Sequence, residues 1–140
     1  MDNSLASMIE EAQGAPSFFG KDSKKGDSIT GRIISWSIRQ TRDFRTNKPE
    51  TWEDGSPKQQ VVIIVQSEKL AVGDDDGKRS LYVKWWGKMR KDFAAAVTMG
   101  GYGDIAKDGV LTMAYSGDQP ASEVVKGFDA EKYFSFVYTE

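Results

Sequence analysis

The chain has 140 residues, 39% of them apolar and 29% charged, with 14 glycines, a formal net charge of −2, and neither cysteine nor histidine. That composition suits one domain with a substantial core and excludes a disordered or helix-spanning membrane chain. Without thiolate or imidazole, disulfides, thiol nucleophiles, histidine-assisted hydrolysis and ordinary zinc sites are excluded too.

Met1-Asp2-Asn3-Ser4 has no basic region leading into an apolar stretch, so a soluble, cytoplasmic protein is expected. Residues 3–13 place Leu5, Met8, Ile9 and Ala12 on one helical stripe, and Gly14, Pro16 and Gly20 then break any regular element. Residues 1–25 therefore read as an N-terminal arm, either a short docking helix or a loose segment. Residues 26–140 read as one domain.

From Ile29 to Ile38 the chain is rich in β-branched residues. Its apolar phase begins on odd positions (Ile29, Ile33) and moves to even ones (Ile34, Trp36, Ile38). A phase switch inside a strand predicts a bulge, and Gly31 fits a strand that bends sharply. Residues 43–58 form a polar connection or the tip of an extended hairpin. Gln60–Gln66 is a second strand, Asp74–Gly77 a turn and Ser80–Trp86 a third strand. Met89, Phe93 and Val97 then recur every four residues, which predicts a helix ending at Gly100-Gly101. Val110–Ser116 and Lys132–Thr139 are the fourth and fifth strands. Phe134, Phe136 and Tyr138 in the last strand, and Tyr115 in the fourth, read mainly as core, with an interface to another copy as the alternative.

Strand, strand, strand, helix, strand, strand is the order of an all-β, five-stranded Greek-key barrel whose helix lies between strands 3 and 4. An open sandwich shares that order, but a bent first strand favours the barrel, because that strand must serve both of its sheets.

Motifs for chemistry are weak. Asp74-Asp75-Asp76-Gly77 resembles part of a calcium loop, but Lys78 takes the next alternate position and no closing Glu follows. Gly101, Gly103 and Ala106 have dinucleotide-fingerprint spacing but follow a helix rather than a strand. The Gly-Lys pairs at Gly20, Gly77 and Gly87 lack the Ser or Thr of a phosphate-binding loop. No enzyme and no cofactor are expected.

The charge is unevenly spread. Lys78–Lys91 holds six basic residues and no acidic one, and Arg32–Lys48 holds five against Asp43 alone. In the proposed barrel these stretches are neighbours, and local potential rather than net charge governs contact with phosphates. Tyr82, Lys84 and Trp86 alternate ring, cation and ring on one side of the third strand, about 7 Å apart. That spacing lets bases stack on rings while the cation meets the intervening phosphate. Leu81, Val83 and Trp85 take the other side as core.

These features, in their order and spacing, resemble the single-stranded DNA-binding proteins of the oligonucleotide-binding (OB) fold, especially the small bacteriophage-encoded versions. The resemblance covers roughly residues 26–139. It is carried by Gly26-Asp27-Ser28-Ile29-Thr30-Gly31-Arg32-Ile33, Arg39-Gln40-Thr41-Arg42-Asp43-Phe44 and Trp52-Glu53-Asp54-Gly55-Ser56-Pro57-Lys58. Arg79-Ser80-Leu81-Tyr82-Val83-Lys84, Gly109-Val110-Leu111-Thr112 and Tyr115-Ser116-Gly117 complete it. It implies sequence-tolerant binding of single strands in DNA replication, recombination or repair, without a cofactor, in the host cytoplasm if the protein is phage-encoded. It also allows self-association and contacts with replication or recombination proteins. Bacterial members carry a long tail with an acidic, Phe-terminated tip, whereas this chain stops at Tyr138-Thr139-Glu140. Tail-mediated recruitment and the bacterial tetramer are thus not carried over.

On this reading the strand crosses the sheet of the first three strands, between the arms at 39–58 and 68–80. Arg39, Arg42, Arg45, Lys58, Arg79 and Lys84 meet phosphates, and Trp36, Phe44, Trp52, Tyr82 and Trp86 offer stacking faces. Two rivals stand beside it. One is an OB-type protein–protein adaptor that uses the same rings as anchors. The other is a magnesium-dependent nuclease using Asp74, Asp75 or Asp76 with Glu68 or Glu53.

Overall fold

A computed structural model describes residues 15–43, 45–124, 126 and 130–140. The helix expected over residues 3–13 lies outside the described residues. Five strands form: β1 (Ser28–Gln40), β2 (Gln59–Gln66), β3 (Lys78–Lys84), β4 (Val110–Asp118) and β5 (Lys132–Thr139). Among the described residues one α-helix, α1 (Gly87–Met99), connects β3 to β4. Among the described residues no helix is long and apolar enough to cross a membrane.

The strands make one antiparallel sheet in the order β3-β2-β1-β4-β5. β1 is its pivot. Ser28–Arg32 pairs with β4, and Arg32–Gln40 pairs with β2. Between them the register shifts, with Ile33 opposite Val65 and Ser35 opposite Ile64, so Ile34 is the extra residue of a bulge. This is the place where the apolar phase of the sequence changes. Gly31 has a different role from the bend itself. A Cβ there would lie 2.8 Å from Cβ of Val65, so the glycine admits the close approach of β2.

The core takes side chains from all five strands, including Ile33, Ile63, Leu81, Leu111, Met113 and Tyr138. The helix closes one end of it. Phe93 and Val97 are buried, and the Phe93 ring meets Phe136 edge-on at 5.3 Å and Trp85 at 6.2 Å. Tyr138 is anchored by its hydroxyl, which accepts the Ala106 N–H at 2.7 Å and donates to Glu140 at 3.0 Å.

The sheet does not close. Among the described residues no ladder joins β3 to β5, in contrast to the barrel expected from the element order. The gap has physical contents. Residues 15–19 run alongside β3 as a strap: Ser80 N–H donates to Pro16 O at 2.9 Å, Phe18 N–H donates to Ser80 O at 3.3 Å, and the Ser80 hydroxyl donates to Ala15 O at 2.6 Å. The strap satisfies backbone groups that a β5 partner would otherwise take. The Phe19 ring then meets Phe134 of β5 edge-on at 5.0 Å, so side chains rather than a ladder bridge the two edges.

Gly31→Ala should overpack the β1–β2 contact and lower stability by about 1–3 kcal/mol. A urea unfolding curve reads this as a lower midpoint at an unchanged slope.

Candidate nucleic-acid interface

Residues directly opposed in an antiparallel ladder point to the same side of the sheet, so the register fixes which residues share a face. Val61, Ile63 and Val65 of β2 face the core. The other face carries two rows that cross three strands. Ser37, Val62 and Tyr82 form one, and Arg39, Gln60 and Lys84 form the next. Arg39 and Lys84 thus stand two strand spacings apart, about 10 Å. The two basic stretches of the sequence meet on this surface. Tyr82 is 42% exposed, and Lys84 is exposed beside it.

Trp85 and Trp86 part at the end of β3. Trp85 turns inward onto Phe93, while Trp86 meets Trp52 in an edge-to-face pair at 5.5 Å. Trp52 comes from the connection between β1 and β2, which is folded rather than loose. Thr41 N–H donates to Lys58 O at 2.9 Å, Glu50 N–H to Thr41 O at 2.8 Å, and Lys58 N–H to Glu50 O at 3.0 Å. Beyond this triangle, Trp52 N–H donates to Ser56 O at 2.8 Å, and the Asp54 carboxylate accepts from the Ser56 hydroxyl and N–H. Those Ser56 bonds hold the Asp54 carboxyl below the ordinary range. Asp43 is lowered likewise by the N–H groups of Thr46 and Arg45. Trp52 is therefore presented from a braced arm.

Lys58 Nζ lies 4.7 Å from the Trp52 ring centre and 5.9 Å from that of Trp86, and Lys84 Nζ lies 5.9 Å from Trp86. Each exposed cation–π contact contributes about 0.5–1 kcal/mol. A base stacked on an aromatic ring contributes about 1–3 kcal/mol, so a ligand base can compete for these rings. The arrangement offers rings beside cations along one continuous surface: Tyr82 and Lys84 on the sheet, then Trp86, Trp52 and Lys58 at its end.

Other residues read from the sequence fall elsewhere. Trp36 sits opposite Ile63, so it lies on the core-side face, away from Tyr82, and remains 41% exposed where the core runs out. Arg79 sits opposite Val65, on the core-side face rather than beside Lys84, and a two-pronged ion pair with Asp75, at 2.6 and 3.0 Å, leaves its side chain 16% exposed. It braces the β2–β3 turn, where Gly77 takes a φ of +77° that favours glycine. The triple-aspartate segment serves that turn as well, Asp75 accepting from Gly77 N–H and Asp76 from Lys78 N–H. Arg42 and Arg45 lie on the arm, where Arg42 donates to Asn47 O at 2.9 Å. Phe44 lies outside the described residues. Within the Lys78–Lys91 stretch, Lys88 pairs with Asp92 at 2.9 Å and Arg90 covers Trp85, while Lys84 stands beside Tyr82 and Lys78 lies farther along the same face.

A cleft of about 490 Å³ borders the surface where β3 and β5 remain unpaired. Tyr82, Lys84 and Trp86 line it from one side, and Tyr133 and Phe134 of β5 from the other, with Phe19 of the strap. Sequence reasoning gave the β5 rings mainly to the core. The density of rings at Tyr133-Phe134 was the available signal, but its meaning depends on a seam that only the fold reveals. Comparison with protein-family models, with curated proteins and with solved structures returns no match.

The Asp75 carboxyl is lowered from 3.8 to about 2, first by its hydrogen bonds from Arg79 and then by the Gly77 N–H. A folded-state pKa below the unfolded one adds stability above the unfolded value and loses it as pH falls through the folded one. The support that this pair gives the turn should be complete above about pH 4 and disappear toward pH 2. Side-chain NMR titration should place the Asp75 midpoint near 2 and, in Arg79→Met, move it up toward 3.8.

Proposed function

We propose that the chain binds single-stranded DNA without sequence preference and without catalysis, in replication, recombination or repair. Its fold is then an OB-type barrel left open at the β3–β5 seam. One observation carries this reading: the register aligns Tyr82 and Lys84 with Arg39 on one sheet face that runs into the Trp86–Trp52–Lys58 cluster. Rings supply faces that accept any base, and the interleaved cations meet phosphates, so affinity follows strandedness rather than sequence. Duplex DNA hides its base faces in the stack and can use only the cations.

The strand order supports the fold assignment. β1 pairs with both β2 and β4 across a bulge, and α1 lies between β3 and β4, as an OB topology requires. The bacteriophage affinity rests on the sequence resemblance alone. A cytoplasmic site of action and contacts with replication or recombination proteins follow from it.

A second reading has its own observation. Trp36 and Ile38, 41% and 63% exposed, sit side by side on the opposite face, where they suit a protein partner or a second copy. Salt-insensitive capture of a protein, with no affinity for oligonucleotides, would favour that adaptor.

Binding of oligo-dT should quench tryptophan emission and weaken steeply with salt. If Arg39, Arg42, Arg45, Lys58 and Lys84 each neutralise a phosphate, log K should fall with a slope of about −3.5 against log salt, about a hundredfold between 50 and 200 mM. An absence of both quenching and retention at low salt would refute the reading. Tyr82→Ala should weaken oligo-dT binding by about 1–3 kcal/mol while leaving the melting temperature nearly unchanged. Val83→Ala, buried directly beside it, should mainly destabilise the fold.

A further inference from the structure

A closed barrel would have no space between β3 and β5. Here the two edges stand apart, and the cleft between them is lined by rings from both. We propose that this cleft takes one base of a bound single strand, inserted between Tyr82 and Trp86 on the β3 side and Tyr133 on the β5 side, with the adjoining phosphate at Lys84. This assignment rests on the reading that the chain binds single strands, and adds β5 and the strap to a surface otherwise built from β1, β2, β3, the β1–β2 connection and Trp86.

Size and chemistry select the occupant. The volume of about 490 Å³ lies within the range of about 300–1,000 Å³ usual for small-ligand pockets. The apolar lining comes largely from rings, which suits a flat aromatic group. Among the described residues, the charged side chains lining the cleft are Lys84, Lys88 and Lys132 with Asp92 and Glu131. Lys88 is paired with Asp92 and Lys132 with Asp118, which leaves Lys84 to meet a phosphodiester.

The three lysines are not equivalent. Lys88 is tethered by Asp92 at 2.9 Å, with its Nζ 5.3 Å from the Tyr133 ring centre, so it helps hold that ring in place. Lys132 lies over the Tyr115 ring at 4.8 Å and 3.9 Å from Asp118. Lys84, among the described residues, has no carboxylate partner. It is the cation left for the ligand, flanked by Tyr82 and Trp86.

The test compares oligo-dT with an abasic oligonucleotide of the same length, at one salt concentration, on the full chain and its Tyr133→Ala and Tyr133→Phe variants. Loss of one stacked base predicts that Tyr133→Ala binds oligo-dT roughly five- to 150-fold more weakly. Tyr133→Phe, which keeps the ring, should bind like the parent, and the abasic strand should not distinguish the three proteins. Oligo-dT binding unchanged in Tyr133→Ala, or an equal loss on the abasic strand, overturns the assignment. If Tyr133→Ala does not fold, photocrosslinking of the parent chain to a 5-bromouracil oligonucleotide replaces it. Adducts on Tyr133 support the cleft, and adducts confined to Trp52 overturn it. A parent chain that binds neither oligonucleotide refutes the proposed function itself, whereas a parent that binds oligo-dT with no role for Tyr133 refutes only the cleft.

Discussion

The single extra residue at Ile34 governs the rest of the molecule. In an unbroken strand, Ile33, Ser35, Ser37 and Arg39 would all point to one side, and a guanidinium would follow Ile33 onto the core face. The bulge reverses the phase. Ile33 remains buried against Val65, while Ser35, Ser37 and Arg39 turn outward opposite Ile64, Val62 and Gln60. The same bulge lets one strand change partners, from β4 to β2, and so gives the sheet its curvature around one core.

Once Arg39 faces outward, the remaining geometry is set by pairing. Gln60 brings Arg39 into line with Lys84, and Val62 brings Ser37 into line with Tyr82. The protein carries a formal charge of −2, yet its sheet face is basic because acidic side chains are used locally. Asp75 holds Arg79, Asp92 holds Lys88, Asp108 holds Arg32, and Asp43 and Asp54 brace turns of the arm. These carboxylates neutralise other cations or cap backbone groups, and no ion pair with them engages Lys84 among the described residues. A charge count over the chain misses that division of labour, whereas a phosphate approaching the sheet would feel it.

Much of this was legible in the sequence. β-branched residues mark β1 and β2, alternation marks β3, bounding glycines mark β4 and aromatics on both faces mark β5. The four-residue recurrence of Met89, Phe93 and Val97 marks the helix, and the change of apolar phase marks the bulge. Alternation along β3 separates Trp85 from Trp86 correctly, because a strand must send neighbours to opposite faces. What escaped depends on contacts distant in sequence. Arg79 shares the parity of Leu81 and Val83, so alternation already sets it on the core side, opposite Val65, but only the turn at Asp75-Asp76-Gly77 brings a carboxylate to it. Trp36 follows the apolar phase as read, but whether it is covered depends on where the core stops. Barrel closure failed for a similar reason: the strap at 15–19 has no strand signature of its own, yet it takes the edge hydrogen bonds of Ser80.

Four indole N–H groups report on this account independently, since Trp52 and Trp86 lie at the end of the basic face, Trp85 lies inward against Phe93, and Trp36 lies on the other side of the sheet. Adding oligo-dT to the ¹⁵N-labelled protein tests them in one NMR titration. The account predicts that the Trp52 and Trp86 signals move while those of Trp36 and Trp85 stay in place. Movement of Trp36 with Trp52 and Trp86 unchanged would contradict it.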